Sequence, residues 1–360
     1  MSAVLESVVI GAGQAGLSAS YHLHRRGIEH VVLDADDSPG GAWKHRWDSL
    51  TMDDVHGVAE LPGSRPPTAA GRANLVVPHY FGDYEREHRL PVIRPVRVDR
   101  VEPAHDDLLV VRAGTREWLT RTIVNATGTW SQPSLPYYPG AAAFTGEQLH
   151  THDYPGAEHF RGRRVVVVGG GASAVQFLGE LALVVDDPER DLLWVTRREP
   201  VWRTEDFDQE AGTAAVALVE ERVRRGLPPA SVVSVTGLVL RPQEEAARRL
   251  GVYDRRQPMF ASIEPTGVRW SDGTFRPVDV ILWATGFRPA VTHLAPLHLR
   301  SELGGIQLDR YGTTAVADER VQLVGYGPSA STIGANRAGR FAARGVAAWL
   351  DDQLSSASSA

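Results

Sequence analysis

The chain has 360 residues, a formal charge of −6 at pH 7 and no cysteine. That length suits two domains rather than one core, the acidic balance excludes a general nucleic-acid binder, and the missing cysteine excludes structural disulfides, thiolate metal sites and CxxC redox chemistry. No window of about 18 apolar residues is present, so no spanning helix is expected, and the opening MSAVLESVVIGAG lacks the cationic start and cleavage site of an export signal. The cytoplasm is the location expected by elimination.

The first predicted element is a buried strand ending on Val8, Val9 and Ile10. Gly11-Ala12-Gly13-Gln14-Ala15-Gly16 follows and fits G-x-G-x-x-G. Residues 17–26, LSASYHLHRR, suit a helix that Gly27 can end, and HVVLD is a second strand closing on Asp34. In that setting Gly11 permits the tight turn, Gly13 lets backbone approach a pyrophosphate, and Gly16 allows close helix–strand packing. Asp34 can accept hydrogen bonds from a ribose diol. Gly11, Gly13, Gln14, Gly16 and Asp34 are therefore candidate cofactor-binding residues.

Further along, VNATG closes a strand on Thr127 and Gly128, after a hairpin-like stretch. A connector follows, FTGEQLHTHDYP, carrying Phe144, Gly146, His150 and Tyr154. Then RRVVVVGGGASAVQFL repeats the strand, glycine turn and helix pattern, with Gly169, Gly171, Ser173 and Ala174 giving the G-x-G-x-x-A variant. The next strand, DLLWVT, closes on Thr196-Arg197-Arg198 instead of an acid. An acid there would repel a 2′-phosphate, whereas arginine binds one through paired N–H donors, so the second nucleotide is expected to be NADPH rather than NADH. LWATG closes another strand on Thr285 and Gly286. Residues 203–262 carry helical patterns such as AVALVEERVRRG beside SVVSVTGLVL, and RQPMF within them reads as core. VQLVGYGPSAS leads into a last helix, and SSASSA reads as a disordered end.

The order GAGQAG, FTGEQLHTHDY, GGGASA and ATG resembles the class B flavin-dependent monooxygenases, which include N-hydroxylating, S-oxygenating and Baeyer–Villiger enzymes. Their fingerprint, Phe-x-Gly-x-x-x-His-x-x-x followed by Tyr, Phe, Trp or Pro, is met at Phe144, Gly146, His150 and Tyr154. The resemblance covers nearly the whole chain and is weakest over 203–262. It implies an α/β fold with two Rossmann-like dinucleotide-binding domains, glutathione-reductase-like, for FAD and NADPH, with a helical insertion in the NADPH domain. The expected boundaries are 1–155 with 287–350 for the FAD domain, 156–286 for the NADPH domain with its insertion at about 203–262, and a flexible tail at 351–360. Thr127, Gly128, Thr285 and Gly286 fall where such chains cross between domains.

The resemblance also implies that Gly40-Gly41 runs close to the pyrophosphate and that Trp43 packs along the flavin. Gly146 is expected to permit a backbone angle that other residues resist. His150 is a candidate of the catalytic apparatus, by holding the connector through hydrogen bonds more than by proton transfer. Where the family shows Tyr-x-Ser-Leu-x-x-Asn, this chain has Trp47, Ser49, Leu50 and Asp53. Asp53 then either faces the flavin as a catalytic carboxylate, favouring a neutral hydroperoxide, or is structural, paired with Arg46 or another arginine. Many relatives have Gly-Asp where this chain has Gly325-Tyr326.

The implied activity is reduction of FAD by NADPH, formation of a peroxyflavin with O2 and oxygenation of a small organic substrate. Tyr154 in place of the Baeyer–Villiger Trp favours nitrogen or sulfur as the target. No metal, nucleic-acid or membrane partner is expected, and a homodimer is the family expectation. Two alternatives are an NADPH-dependent reductase serving a protein or quinone acceptor, and a non-catalytic NADPH-binding regulator. The missing CxxC removes a dithiol reductase, and the intact first loop argues against the regulator.

Overall fold

The computed structural model describes residues 3–53, 60–65, 70–202, 209–229, 237–238, 240–330 and 332–358, apart from the side chains of 209–216, 243, 332, 333, 357 and 358. In chain order the elements are β1 (Leu5–Ile10), α1 (Gln14–His24), β2 (His30–Leu33), α2 (Ala73–Glu87), β3 (Val92–Ile93), β4 (Arg100–Pro103), β5 (Leu109–Ala113) and β6 (Arg116–Asn125). Then come β7 (Glu147–His150), β8 (Val165–Val168), α3 (Ala172–Leu181), α4 (Pro188–Asp191), β9 (Leu192–Thr196), α5 (Gln209–Arg224) and α6 (Glu245–Arg249). The last are β10 (Gln257–Pro258), β11 (Ser262–Glu264), β12 (Gly267–Arg269), β13 (Phe275–Pro277), β14 (Val280–Trp283), β15 (Val321–Leu323) and α7 (Thr332–Ser358).

Two compact units result, Met1–Ser131 with Thr213–Val232 and Pro289–Ala360, and Gln132–Gly212 with Val233–Arg288. This division differs from the expected one. Residues 132–155, which include the connector and were expected in the FAD domain, belong with the second unit, and 213–232, expected inside the NADPH-domain insertion, returns to the first. The return has a physical cause in named contacts. Val223 joins the apolar core of the first unit, Arg337 pairs with Glu220 at 2.8 Å, and the Gly226 carbonyl accepts hydrogen bonds from Gly305 N–H and the Ser301 hydroxyl. Most of SVVSVTGLVL (231–240) lies outside the described residues.

In the first unit the strand order is β3-β2-β1-β6-β5-β4, with β15 also on β6. β1, β2, β3, β6 and β15 run parallel, while β4, β5 and the first half of β6 form an antiparallel meander. Alternation along β1 sends Val9 to one face and Val8 and Ile10 to the other, as a strand covered on both sides requires. On the Val9 side, α1 and α7 pack closely because small residues meet. A Cβ on Gly339 would overlap the Ser18 hydroxyl and come within 2.7 Å of the Ala19 nitrogen, and Ser18 donates to the Asn336 carbonyl at 3.0 Å. Each fully buried Leu or Val of this layer, such as Leu17 and Leu23, contributes about 1.5–3 kcal/mol. The expectation of a disordered end is corrected for residues 351–358, which continue α7. Serine disfavours a helix only mildly, and the 27-residue α7 is anchored through Ala335, Ala338, Ala342, Ala343 and Val346.

The second unit holds a fully parallel sheet, β10-β9-β8-β14-β7, and an antiparallel one, β11-β12-β13. β8 is four buried valines, the continuous apolar run of a strand covered on both faces. The RQPMF stretch, read as core, is divided: Gln257 and Pro258 form the exposed edge strand β10, while Phe260 is buried against Tyr138 and Trp283.

Candidate active site: two nucleotide cradles

In each unit a central strand is flanked on one side by the next strand in sequence and on the other by a strand ending in Ala-Thr-Gly. For β1 the neighbours are β2 and β6, and for β8 they are β9 and β14. The crevice at the carboxyl ends of such strands, where strand order reverses, is the place for a ligand in an open α/β sheet.

The first cradle is built from backbone proximity. Gly11 has φ +101°, and a Cβ there would lie 2.7 Å from the Ala126 carbonyl oxygen. A Cβ on Gly16 would overlap the Gly11 carbonyl, so α1 starts against the turn. Gly41 approaches the same loop; its Cβ would lie 2.8 Å from Gly13 Cα. No side chain caps the α1 N-terminus, and no acid lies in its first turn, which leaves its N–H groups and dipole for an anion. Gln14 is buried at this helix start, and Trp43 packs at the edge of the core beside it.

Asp34 stands at the end of β2 with its side chain 9% exposed, and Oδ2 accepts from Arg94 Nε at 2.7 Å. Arg94 is in turn held by both oxygens of Glu85 on α2, each at 2.7 Å. Asp34 is thus fixed in direction with one oxygen still to present. Sequence reading missed this pair, since Arg94 lies 60 residues beyond Asp34.

Thr127 and Gly128 end the strand across the crevice. Thr127 donates to the Ala290 carbonyl at 2.6 Å, and Ala290 N–H donates to Gly128 at 2.9 Å. Asn125 beside them is buried and accepts from His293 Nε2 at 2.7 Å. Burial lowers the His293 pKa to about 4, so the ring is neutral. Tyr326, at the family's aspartate position, turns into the core; it is 3% exposed and its hydroxyl accepts from Ile306 N–H. Asp53 is exposed on a turn. The ion pair with Arg46, one form of the structural alternative for Asp53, does not form: Arg46 is drawn against tryptophans, 4.4 Å from the Trp130 ring centroid, while Asp53 faces solvent.

The second cradle repeats the plan. Gly169 has φ +154°, and a Cβ there would overlap the Ala284 carbonyl. Gly171 caps α3 with open space around it, and Ser173 is half-buried in the first turn. Ala174 is fully buried, so this helix start tolerates a methyl where Gly16 does not. At the end of β9, Thr196 is buried and donates to the Arg198 carbonyl at 2.6 Å. Arg197 and Arg198 are exposed, and no ion pair holds either among the described residues. A third arginine, Arg256, donates to Thr196 at 3.2 Å and pairs with Glu199 at 3.1 Å. Sequence reading missed Arg256, which lies in the RQPMF stretch taken as core and 60 residues beyond Thr196.

All four fingerprint residues belong to this second unit. The connector is a strand: β7 pairs in parallel with β14, Trp283 opposite His150. Gly146 does not adopt a positive φ, which corrects the expectation of an unusual backbone angle. It is glycine because a Cβ would overlap the Asp279 carbonyl and lie 2.5 Å from the Phe144 ring. His150 is 2% exposed; Nε2 donates to the Gly286 carbonyl at 3.0 Å, and Nδ1 accepts from His152 N–H at 3.1 Å. Burial lowers its pKa, so a neutral ring with both nitrogens engaged clamps the Thr285–Gly286 turn. Thr285 is held too, donating to the Ser134 carbonyl at 2.5 Å. Tyr154 stacks on Phe177 of α3 at 4.1 Å and donates to Glu180 at 2.9 Å; burial and then the Glu180 charge raise its phenol pKa well above the ordinary range.

Among the described residues no helix is long and apolar enough to cross a membrane, and no group of acidic or histidine side chains could hold a metal ion. Comparison with known proteins then gives four findings. Residues 8–210 match the family model described as pyridine nucleotide-disulphide oxidoreductase. A solved flavin-containing monooxygenase from Stenotrophomonas maltophilia is 38% identical, covering 97% of this chain and 100% of its own, with a TM-score of 0.82. Indole-3-pyruvate monooxygenase YUCCA1 of Oryza sativa subsp. japonica is 28% identical over 79% of this chain and 77% of its own length. The uncharacterized oxidoreductase CzcO of Bacillus velezensis is 25% identical over 79% and 81%.

Proposed function

The chain belongs to the pyridine nucleotide-disulphide oxidoreductase family, within its class B flavin-dependent monooxygenases, and from that premise we propose an FAD- and NADPH-dependent oxygenation of a nitrogen or sulfur centre in a small organic substrate. The disulphide chemistry in the family's description has no thiol to work with here, as the chain has no cysteine. The two cradles fit the two dinucleotides. At the first, Gly11, Gly13 and Gly41 clear the backbone for a pyrophosphate, Gln14 adds a polar side chain, and Asp34 suits a ribose diol.

At the second, Gly169, Gly171 and Ser173 open the start of α3. Arg197, Arg198 and Arg256 gather at the end of β9 where a 2′-phosphate would sit. This arginine group is the observation that carries NADPH over NADH.

Bound FAD supplies the redox chemistry, accepting electrons from the nicotinamide and activating O2. The protein's part is positional. His150 holds the Thr285–Gly286 turn, Tyr154 fixes α3, and Asp34 with Arg94 orients the adenosine end. Asp53, exposed and without an ion pair among the described residues, is the carboxylate we assign to act near the reacting oxygen. We assign heteroatom oxygenation over the Baeyer–Villiger reaction on Tyr154, a homodimer on the family resemblance, and the cytoplasm by elimination.

Rapid mixing tests the reading. The flavin-loaded protein is reduced with NADPH without oxygen, then mixed with O2 while flavin absorbance and free peroxide are followed. Fast bleaching, delayed recovery and little peroxide, with product from an amine or sulfide panel, is the expected result. Immediate recovery with stoichiometric peroxide would instead mark a reductase or oxidase.

A further inference from the structure

Arg46 carries a charge that the described protein does not balance. It lies in the loop after Gly40–Gly41, and its guanidinium stacks 4.4 Å from the Trp130 ring centroid and 5.8 Å from those of Trp43 and Trp47. Its Nε is buried without a hydrogen-bond partner. No described carboxylate pairs with it: Asp48, two residues on, is taken by Arg72 at 3.0 Å and Asn74 at 2.9 Å, and Asp53 is exposed. The loop is held in place, because Asn74 also donates to the Arg46 carbonyl at 2.9 Å and Ala73 N–H to Leu50 at 2.8 Å. Burial lowers the Arg46 pKa to about 10, which leaves it charged at neutral pH.

Arg46 as a whole is half-buried, but a guanidinium whose Nε is buried without a partner is costly, and three aromatic faces offset that cost only in part. The remainder is recovered when an anion arrives. The place of the box identifies that anion. Trp43 follows Gly41, which touches the first glycine loop at Gly13, and Trp130 follows the Ala126–Thr127–Gly128 strand end. Both walls stand at the carboxyl ends of β1 and β6, the cofactor edge of the sheet.

We infer that Arg46, held in its tryptophan box, is the countercharge for an anionic oxygen of bound FAD, either its pyrophosphate or its reduced ring. This rests on the flavoenzyme reading above. Arg46 is a positioning and charge-balancing residue that needs its planar, stacked fork, so lysine should replace it poorly.

The test compares holoprotein carrying Arg46→Met and Arg46→Lys with the parent. FAD release is followed by recovery of free-flavin fluorescence, the flavin midpoint potential is measured, and thermal unfolding is recorded with and without added FAD. For a pyrophosphate contact, R46M releases oxidised FAD about tenfold to a hundredfold faster, with R46K between. For a contact to the reduced ring, release of oxidised FAD is unchanged and the midpoint potential becomes more negative. In both cases FAD-free R46M unfolds no earlier than the FAD-free parent, since an unpaired charge with a buried Nε has been removed. A variant that unfolds earlier without FAD, yet keeps parental release and potential, overturns the inference. If R46M does not fold, parental release and potential in R46K overturn it equally. A parent that holds no FAD at all sinks the flavoenzyme reading instead.

Discussion

The two cradles share a backbone plan and differ in side chains. In both, the first glycine of the loop presses on the alanine of an Ala-Thr-Gly strand end: Gly11 on Ala126, Gly169 on Ala284. The paired Ala-Thr-Gly segments are therefore the second wall of each cradle, and the glycine and the alanine are one steric unit. The differences lie at the helix start and at the end of the neighbouring strand. Gly16 admits no methyl, while Ala174 is a buried methyl. Asp34 is sequestered behind Arg94 and Glu85, while Arg197 and Arg198 stand exposed. A fixed acid suits a cofactor that stays bound, and free arginines suit one that comes and goes.

The sharpest way to break this comparison is a reciprocal swap. Gly16→Ala drives a methyl into the Gly11 carbonyl and should cost about 3 kcal/mol with loss of FAD, whereas Ala174→Gly should cost about 1 kcal/mol, the penalty of a helical glycine. Thermal unfolding and flavin content measure both, and equal penalties would end the steric argument. Next in size, Arg197→Ala with Arg198→Ala should raise KM for NADPH about tenfold to a hundredfold and leave KM for NADH unchanged. His150→Ala should then raise KM for NADPH about tenfold with FAD content intact, because its clamp lies wholly in the second unit.

The smallest effect concerns pH. The folded pKa of His293 is about 4, below the ordinary 6.5, and burial also lowers that of His150. The folded state therefore binds fewer protons than the unfolded one, so stability is complete above pH 6.5 and falls as pH drops towards 4. His293 should account for about 1 kcal/mol between pH 7.5 and 5.5, and His293→Gln should flatten that limb in thermal unfolding.

What the sequence made legible was local. Glycine loops, strand ends and the connector fingerprint are contiguous runs whose spacing carries their meaning. What it hid was held by distance. Arg94 reaches Asp34 from the bend after β3, and Arg256 reaches Thr196 across 60 residues. The 213–232 segment rejoins the first unit through Val223 and Gly226, which look unremarkable in a helical pattern. Gly146 shows the limit most clearly: its type was readable, but its cause, the Asp279 carbonyl and the Phe144 ring, is tertiary.

The most direct test of the division of labour is anaerobic flavin bleaching by NADPH and by NADH, in the parent and in the Arg197→Ala, Arg198→Ala double variant. The expected result is fast bleaching by NADPH at concentrations where NADH is slow, and a double variant in which that preference is gone while FAD stays bound. Equal bleaching by the two nucleotides in the parent, or a preference that survives the double substitution, would contradict it.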